Sequence, residues 1–191
     1  MSTLVIVLRT ISLLAFAGPM LMLRSGRREN TGARAHHGGT DRAPVVANLA
    51  AFGMFVPSLM IFSGSSGSTR ALLLAGLGSL LAVAGAALVL KSRAALGPAW
   101  SFVPKAGQET GLITSGPYRL ARHPIYLGLS MLAAGEALAF GSWPSFLIVL
   151  VAIVPTFAWR AHTEEVMLSH AFGERYLVYR RETKLIIPYL L

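Results

Sequence analysis

The apolar residues of this chain fall in long runs separated by short polar stretches, unlike the alternating or one-faced patterns of a soluble fold. Residues 4–23, 44–62 and 71–90 each form a run about long enough to cross a hydrocarbon core of roughly 30 Å. Two later runs, 125–140 and 146–159, have about 15 residues each and are joined by Gly141-Ser-Trp-Pro144, which is short for a span. They predict a tight helical hairpin that begins inside its polar flanks, at 124–140 and 145–160. Residues 161–181 predict an amphipathic helix interrupted near Gly173, followed by an apolar tail at 186–191. The expected fold is all-α: one domain over 1–191, an integral membrane bundle of five transmembrane helices with a cytoplasmic C-terminal amphipathic helix.

Details inside the runs refine this. Pro57 predicts a kink in the second span. Residues 63–69, Ser-Gly-Ser-Ser-Gly-Ser-Thr, form a flexible connector. Gly76, Gly78, Gly85 and many alanines let the third span pack closely against a neighbour. The Gly76-Leu-Gly78 triplet is not a dinucleotide fingerprint, because it has neither the third glycine nor a preceding strand. Arg9 lies within the first run. It either snorkels to the interface or turns inward to pair with Glu136. Ala15-Phe16-Ala17 resembles a signal-peptidase site, but no positive charge precedes the run and Arg24, Arg27 and Arg28 follow it. That asymmetry favours an uncleaved span with its N-terminus outside.

Composition agrees with a membrane protein: 191 residues, 54% hydrophobic and 13% charged, with mean hydropathy +0.60. There is no cysteine, which excludes disulfide and thiolate chemistry. A net charge of +9 would raise nucleic-acid binding in a soluble protein. Here the basic residues sort by loop instead, so the expected partner is anionic lipid and not nucleic acid. Residues 24–43 hold five basic residues, residues 91–123 hold five and the tail from 160 holds five, against Arg70 alone in the opposite connectors. This distribution places all three segments in the cytoplasm.

Two polar clusters share that face. Residues 110–126 run Thr-Gly-Leu-Ile-Thr-Ser-Gly-Pro-Tyr-Arg-Leu-Ala-Arg-His-Pro-Ile-Tyr, more chemistry than a simple connector needs. Gly111, Gly116 and Pro117 favour a turning backbone with available amides. Pro124 suits the first turn of a helix, on which His123 and Tyr126 share a face. Arg, His and Tyr at a span end also serve as a headgroup-level belt, and spacing alone leaves both readings open. In the second cluster, Arg160 and Glu164 are four apart on one helix face: a surface ion pair, or an anion receptor beside a carboxylate that holds a hydroxyl or ammonium. His36 and His37 read as solvated loop residues, and His162, Glu165 and His170 lack ligand spacing, so no metal site is expected.

Several separated blocks now occur in order. They are Ile113-Thr-Ser-Gly-Pro-Tyr118, Arg122-His-Pro-Ile-Tyr126, Arg160 with Glu164-Glu165, Phe172-Gly-Glu-Arg-Tyr176 with Tyr179, and Ile187-Pro188; Leu96-Gly97 and Trp100 stand at the start. Over about residues 95–190 this pattern resembles the isoprenylcysteine carboxyl methyltransferases. In scope it is most similar to the small five-span prokaryotic members of that superfamily, which includes phospholipid methyltransferases. The resemblance implies an integral protein of a prokaryotic inner membrane with a cytosolic pocket for S-adenosylmethionine, released as S-adenosylhomocysteine. It implies cofactor contacts at Thr110, Gly111, Leu112, Ile113, Tyr118, His123, Pro124, Ile125, Tyr126 and Glu164. Near relatives often carry His where Thr110 stands. It implies that Arg160 approaches the substrate carboxylate, with Arg160 and Glu164 the candidate catalytic pair. The acceptor would be a lipophilic small molecule or a lipidated substrate, reached between the first or second span and the fourth. Two rivals remain: an NADPH-dependent membrane sterol or steroid reductase, which also carries Arg-His-Pro before a span and an Ile-Ile-Pro-Tyr tail, and a non-catalytic small membrane protein.

Overall fold

A computed structural model of the chain describes residues 1–29, 43–97 and 111–186, with side chains to residue 19 in the first segment. Thr110, Trp100, His36, His37, most of the basic loop at 24–43 and the tail from residue 187 lie outside the described residues. The elements in order are α1 (Ser2–Glu29), α2 (Ala43–Ile61), α3 (Thr69–Leu96), a 3₁₀ turn (Gly116–Arg119), α4 (Pro124–Ala139), α5 (Trp143–Ile148), a π turn (Val149–Ile153), α6 (Val154–Phe172) and α7 (Glu174–Glu182). No strand occurs among the described residues; Ala121 and Lys184 form an isolated parallel bridge.

Among the described residues, four helices are long and apolar enough to cross a membrane: Ser2–Pro19, Ala43–Ile61, Thr69–Leu96 and Trp143–Phe172. α4 is apolar but has only 16 residues, about 24 Å at 1.5 Å per residue. The expected boundary near residue 160 is absent. α5, the π turn and α6 run as one 30-residue helix, about 45 Å long, so the last span and the first part of the amphipathic segment are a single rod. The rod ends where the sequence predicts, at Gly173, whose φ of +55° suits a residue without a Cβ. α1 and α3 also run past the spans predicted for them; for α3 the added residues, Lys91-Ser-Arg-Ala-Ala-Leu96, are mostly good helix formers.

α3 and α4 form the centre of the bundle. Gly78 and Gly85 on α3 lie against Gly135 and Gly128 on α4. A Cβ added at Gly78 would come 2.5 Å from Gly135 O, and one at Gly85 2.6 Å from Gly128 O. The same spacing of seven on both helices lets two backbones touch at two levels. Gly76 has nothing within 4 Å and takes no part. α1 packs across this pair, where Ser79 Oγ donates to Leu8 O at 2.7 Å and Ser12 Oγ donates to Glu136 Oε2 at 3.1 Å. α2 packs on the rod, with Asn48 donating to Thr156 Oγ1 at 2.5 Å and Ser58 and Ser145 hydroxyls 2.6 Å apart. The outward faces of these helices are lined by exposed Leu, Val, Ile and Met, as lipid contact requires.

Arg9 does not pair with Glu136 and reaches instead to the helix ends and the 63–68 connector. Its Nε donates to Ala139 O at 2.9 Å and its Nη2 donates to Gly64 O at 3.0 Å and Phe140 O at 3.3 Å. The guanidinium therefore satisfies carbonyls at the C-terminal end of α4, which lack intrahelical partners, while Glu136 bonds Ser12 instead.

The π turn has a local cause. Pro155 has no N–H and its ring would meet the carbonyl four residues back. The wider turn relieves this: the Val154 N–H bonds Val149 O, five residues earlier. One extra residue in that turn rotates everything beyond it, so it sets the direction in which Phe157, Arg160 and Glu164 point.

Candidate functional site

The site forms where the N-terminal end of α4 meets α6. Pro124 opens α4 and His123 precedes it. The Arg122 and His123 amides donate to Lys184 O at 2.8 Å and Leu185 O at 2.9 Å, so the chain after α7 pins the residues leading into the helix. Across from them, Phe157, Arg160, Ala161 and Glu164 occupy one face of α6 by their spacing of three, four and seven.

Glu164 gathers three of the expected residues. Its Oε1 accepts the Tyr126 hydroxyl at 2.5 Å and the Arg160 Nε at 3.0 Å, and its Oε2 lies 3.6 Å from His123 Nδ1. The rings form a file: His123 stacks on Tyr126 at 5.5 Å and 4°, and Tyr126 stacks on Phe157 at 5.1 Å and 11°. The Arg160 guanidinium lies 5.5 Å from the Tyr126 ring centroid. Glu164 is 25% exposed at its side chain, against 7% for His123. Glu164 and Arg160, the latter 19% exposed, are thus the accessible members of the group, while His123 and Tyr126 are buried.

Glu165 points the other way and is nearly buried, with 4% side-chain exposure. It ion-pairs with the Arg122 Nε, accepts the Tyr176 hydroxyl at 3.0 Å and lies 3.4 Å from Arg180 Nε. Its Oε1 is 3.8 Å from His123 Nε2, too far for a hydrogen bond, and that nitrogen is buried with no hydrogen-bond partner among the described residues. Arg122 Nη1 also donates to Arg180 O at 3.1 Å and to Thr183 O. Adjacent carboxylates thus divide their work. Glu164 faces the file of rings, and Glu165 fastens α7 and the chain after it to the start of α4.

Tyr118 sits buried in the 3₁₀ turn, and its carbonyl accepts the Tyr179 hydroxyl at 2.6 Å. Burial pushes the Tyr118 phenol well above its usual range, helped by Tyr179 and Glu164 nearby. Burial and Glu165 do the same to Tyr176, and burial raises Tyr179 to about 12. All three stay protonated donors at neutral pH. Pro124 and Ile125 are buried beneath the site. Gly111, Leu112 and Ile113 lead without regular structure, and at least partly exposed, toward the 3₁₀ turn, and among the described residues no hydrogen bond engages their amides. They are not joined to Glu164 by any described contact.

The structure thus brings together Tyr126, His123, Glu164 and Arg160. Sequence reasoning overlooked Phe157, which floors the ring stack, and the roles of Arg122 and Tyr176 as partners of Glu165. Arg122 stands in the Arg-His-Pro motif and Tyr176 four residues beyond Phe172, so both lay inside recognised blocks. No signal in sequence tied either of them to a particular carboxylate. Among the described residues no group of His, Asp or Glu could hold a metal ion.

Residues 73–175 match the phospholipid methyltransferase family. The chain is 33% identical over 84 residues to the protein-S-isoprenylcysteine O-methyltransferase of Schizosaccharomyces pombe, covering 44% of this chain and 36% of that one. It is 29% identical over 136 residues to the Saccharomyces cerevisiae protein of the same name, covering 70% and 56%. The chain therefore spans about half or less of these relatives. Among solved structures, the eukaryotic intramembrane Ras methyltransferase ICMT aligns with a TM-score of 0.59 at 18% identity, over 94% of this chain and 68% of that one. That likeness speaks for a shared fold.

Proposed function

The chain belongs to the phospholipid methyltransferase family, and from that premise we propose that it moves the methyl group of S-adenosylmethionine to an anionic oxygen on a lipidated or amphiphilic acceptor at the membrane surface. A carboxylate is the foremost acceptor, because the named relatives are protein-S-isoprenylcysteine O-methyltransferases. The observation that carries this reading is the meeting of Tyr126, Arg160 and His123 around the one accessible carboxylate, Glu164.

The residues present fit such a cofactor. Among the described residues His123 Nε2 is buried with no hydrogen-bond partner, the amides of residues 111–113 are unengaged, and Glu164 offers partly exposed negative charge. When bound, the cofactor supplies a sulfonium methyl that an acceptor oxygen attacks in line, the O–C bond forming as the C–S bond breaks and neutral S-adenosylhomocysteine leaves. A carboxylate acceptor is already deprotonated, so the chain need supply alignment and exclusion of water rather than a general base. Arg160 brings a guanidinium charge to the acceptor oxygen. Glu164 balances the two positive charges brought close together. Gly111, Leu112 and Ile113 offer main-chain donors, with Tyr118, Pro124 and Ile125 shaping the wall. Thr110, outside the described residues, is the further cofactor contact expected of this chain. The site faces the cytoplasm of a prokaryotic inner membrane, with the N-terminus outside, because the basic residues gather at this end.

Calorimetric titration of the purified protein tests the reading. Binding of S-adenosylhomocysteine without response to NADPH is the expected result. Binding of NADPH alone would make the protein a reductase, and silence toward both would remove the enzymatic assignment.

A further inference from the structure

Beside the clamp built on Glu165, and lined without Glu164, lies a cleft of about 240 Å³, far more than the roughly 10–15 Å³ one water needs. Arg122, Arg180, Arg181 and Lys184 line it, with Glu182 and Thr183. The cations outnumber the one carboxylate in the lining. Glu165 offsets Arg122 closely and Arg180 at 3.4 Å. Arg181 and Lys184 are exposed and make no ion pair among the described residues. Arg122 Nη2 also makes no hydrogen bond among the described residues, its Nε and Nη1 being committed to Glu165, Arg180 O and Thr183 O.

We propose that this cleft is a binding site for a phosphate-type anion, separate from the site at Glu164. Three features favour phosphate over carboxylate. The donors come from four side chains, more than the two oxygens of a carboxylate would engage. Three are guanidinium groups, whose forked donors match phosphate oxygens in pairs. The cleft also adjoins Arg122, two residues before the apolar helix α4 starts, which puts it at the level of lipid headgroups. The phosphate is carried either by an anionic lipid or by a soluble compound. Arg180, 52% exposed and at the long end of an ion pair, is shared between the anion and Glu165. Because Arg122 lines the cleft and also holds Glu165 against His123, occupancy bears on the rigidity of the neighbouring site.

The test uses the full chain in detergent micelles. Binding of phosphatidylglycerol and of phosphatidylcholine is read by native mass spectrometry, and binding of pyrophosphate by calorimetry, for the parent and the Arg181→Gln/Lys184→Gln double variant. About a tenfold loss is expected for phosphatidylglycerol or for pyrophosphate, with phosphatidylcholine unchanged. A loss confined to phosphatidylglycerol assigns the site to headgroups, and one confined to pyrophosphate assigns it to a soluble anion. Equal binding by parent and variant in both arms overturns the proposal. Should the double variant fail to fold, Lys184→Gln alone gives the same readout, because Lys184 joins the structure through its backbone.

Discussion

The Tyr126 hydroxyl donates a 2.5 Å hydrogen bond to Glu164 Oε1 across 38 residues of sequence. That bond joins the first turn of α4 to α6 and fixes the direction of the one carboxylate at the site that solvent reaches. Removing the hydroxyl leaves the ring stack with His123 and Phe157 in place but frees Glu164. Tyr126→Phe should therefore weaken S-adenosylhomocysteine binding about tenfold, the scale of one hydrogen bond to a charged group, with little change in thermal unfolding. Titration of both proteins checks this. An unchanged affinity would mean that Glu164 needs no orientation from Tyr126.

Arg160 and Glu164 should separate in kinetics. Glu164→Ala removes the charge proposed to face the cofactor and should weaken S-adenosylhomocysteine binding. Arg160→Ala removes the proposed acceptor contact. It also breaks the bond from Arg160 Nε to Glu164, but a pair four apart on a helix contributes only about 0.3–0.5 kcal/mol. Cofactor affinity should fall no more than about threefold, while methyl transfer falls at least about a hundredfold. Loss of cofactor binding in Arg160→Ala would reverse the assigned roles.

Glu165→Gln tests the buried clamp. It strips the charge from Glu165, the countercharge of Arg122, in a pair whose side chains are 4% and 8% exposed. Breaking one side of a buried pair typically costs about 3–5 kcal/mol. The variant should melt earlier in detergent and expose α7 to proteolysis. Arg122→Gln added to it should cost much less than its own single effect, because the two residues act as one unit. Additive effects in the four-protein cycle would show that the residues do not couple.

The helix centre gives a contrast between two glycines of similar appearance in sequence. A Cβ at Gly135 would lie 2.6 Å from both Ala82 N and Gly78 O, backbone atoms that move only if α3 and α4 part. Gly135→Ala should destabilise by about 1–3 kcal/mol. Gly76→Ala meets nothing and should be neutral or stabilise by up to about 1 kcal/mol through helix propensity. Thermal unfolding in one detergent compares them directly, and equal effects would contradict the packing described.

The chain's local chemistry made the helices legible. Run length located α1, α2, α3 and the rod, and Pro124 and Gly173 marked a start and a stop, because burying backbone in lipid leaves few choices besides helix. The motif blocks were legible for the same reason: a proline beside a histidine, or two adjacent glutamates, can be recognised without knowing what they face. Partnership could be settled only by the tertiary structure. Arg9 reaches the carbonyl end of α4 instead of Glu136, and Glu164 and Glu165 point to opposite clusters. Of the third span's glycines, Gly78 and Gly85 meet α4 while Gly76 does not. Each of these depends on the rotation and depth of one helix against another, and the π turn before Phe157 shifts that rotation: Pro155 marks the place in sequence, but the folded backbone sets the amount.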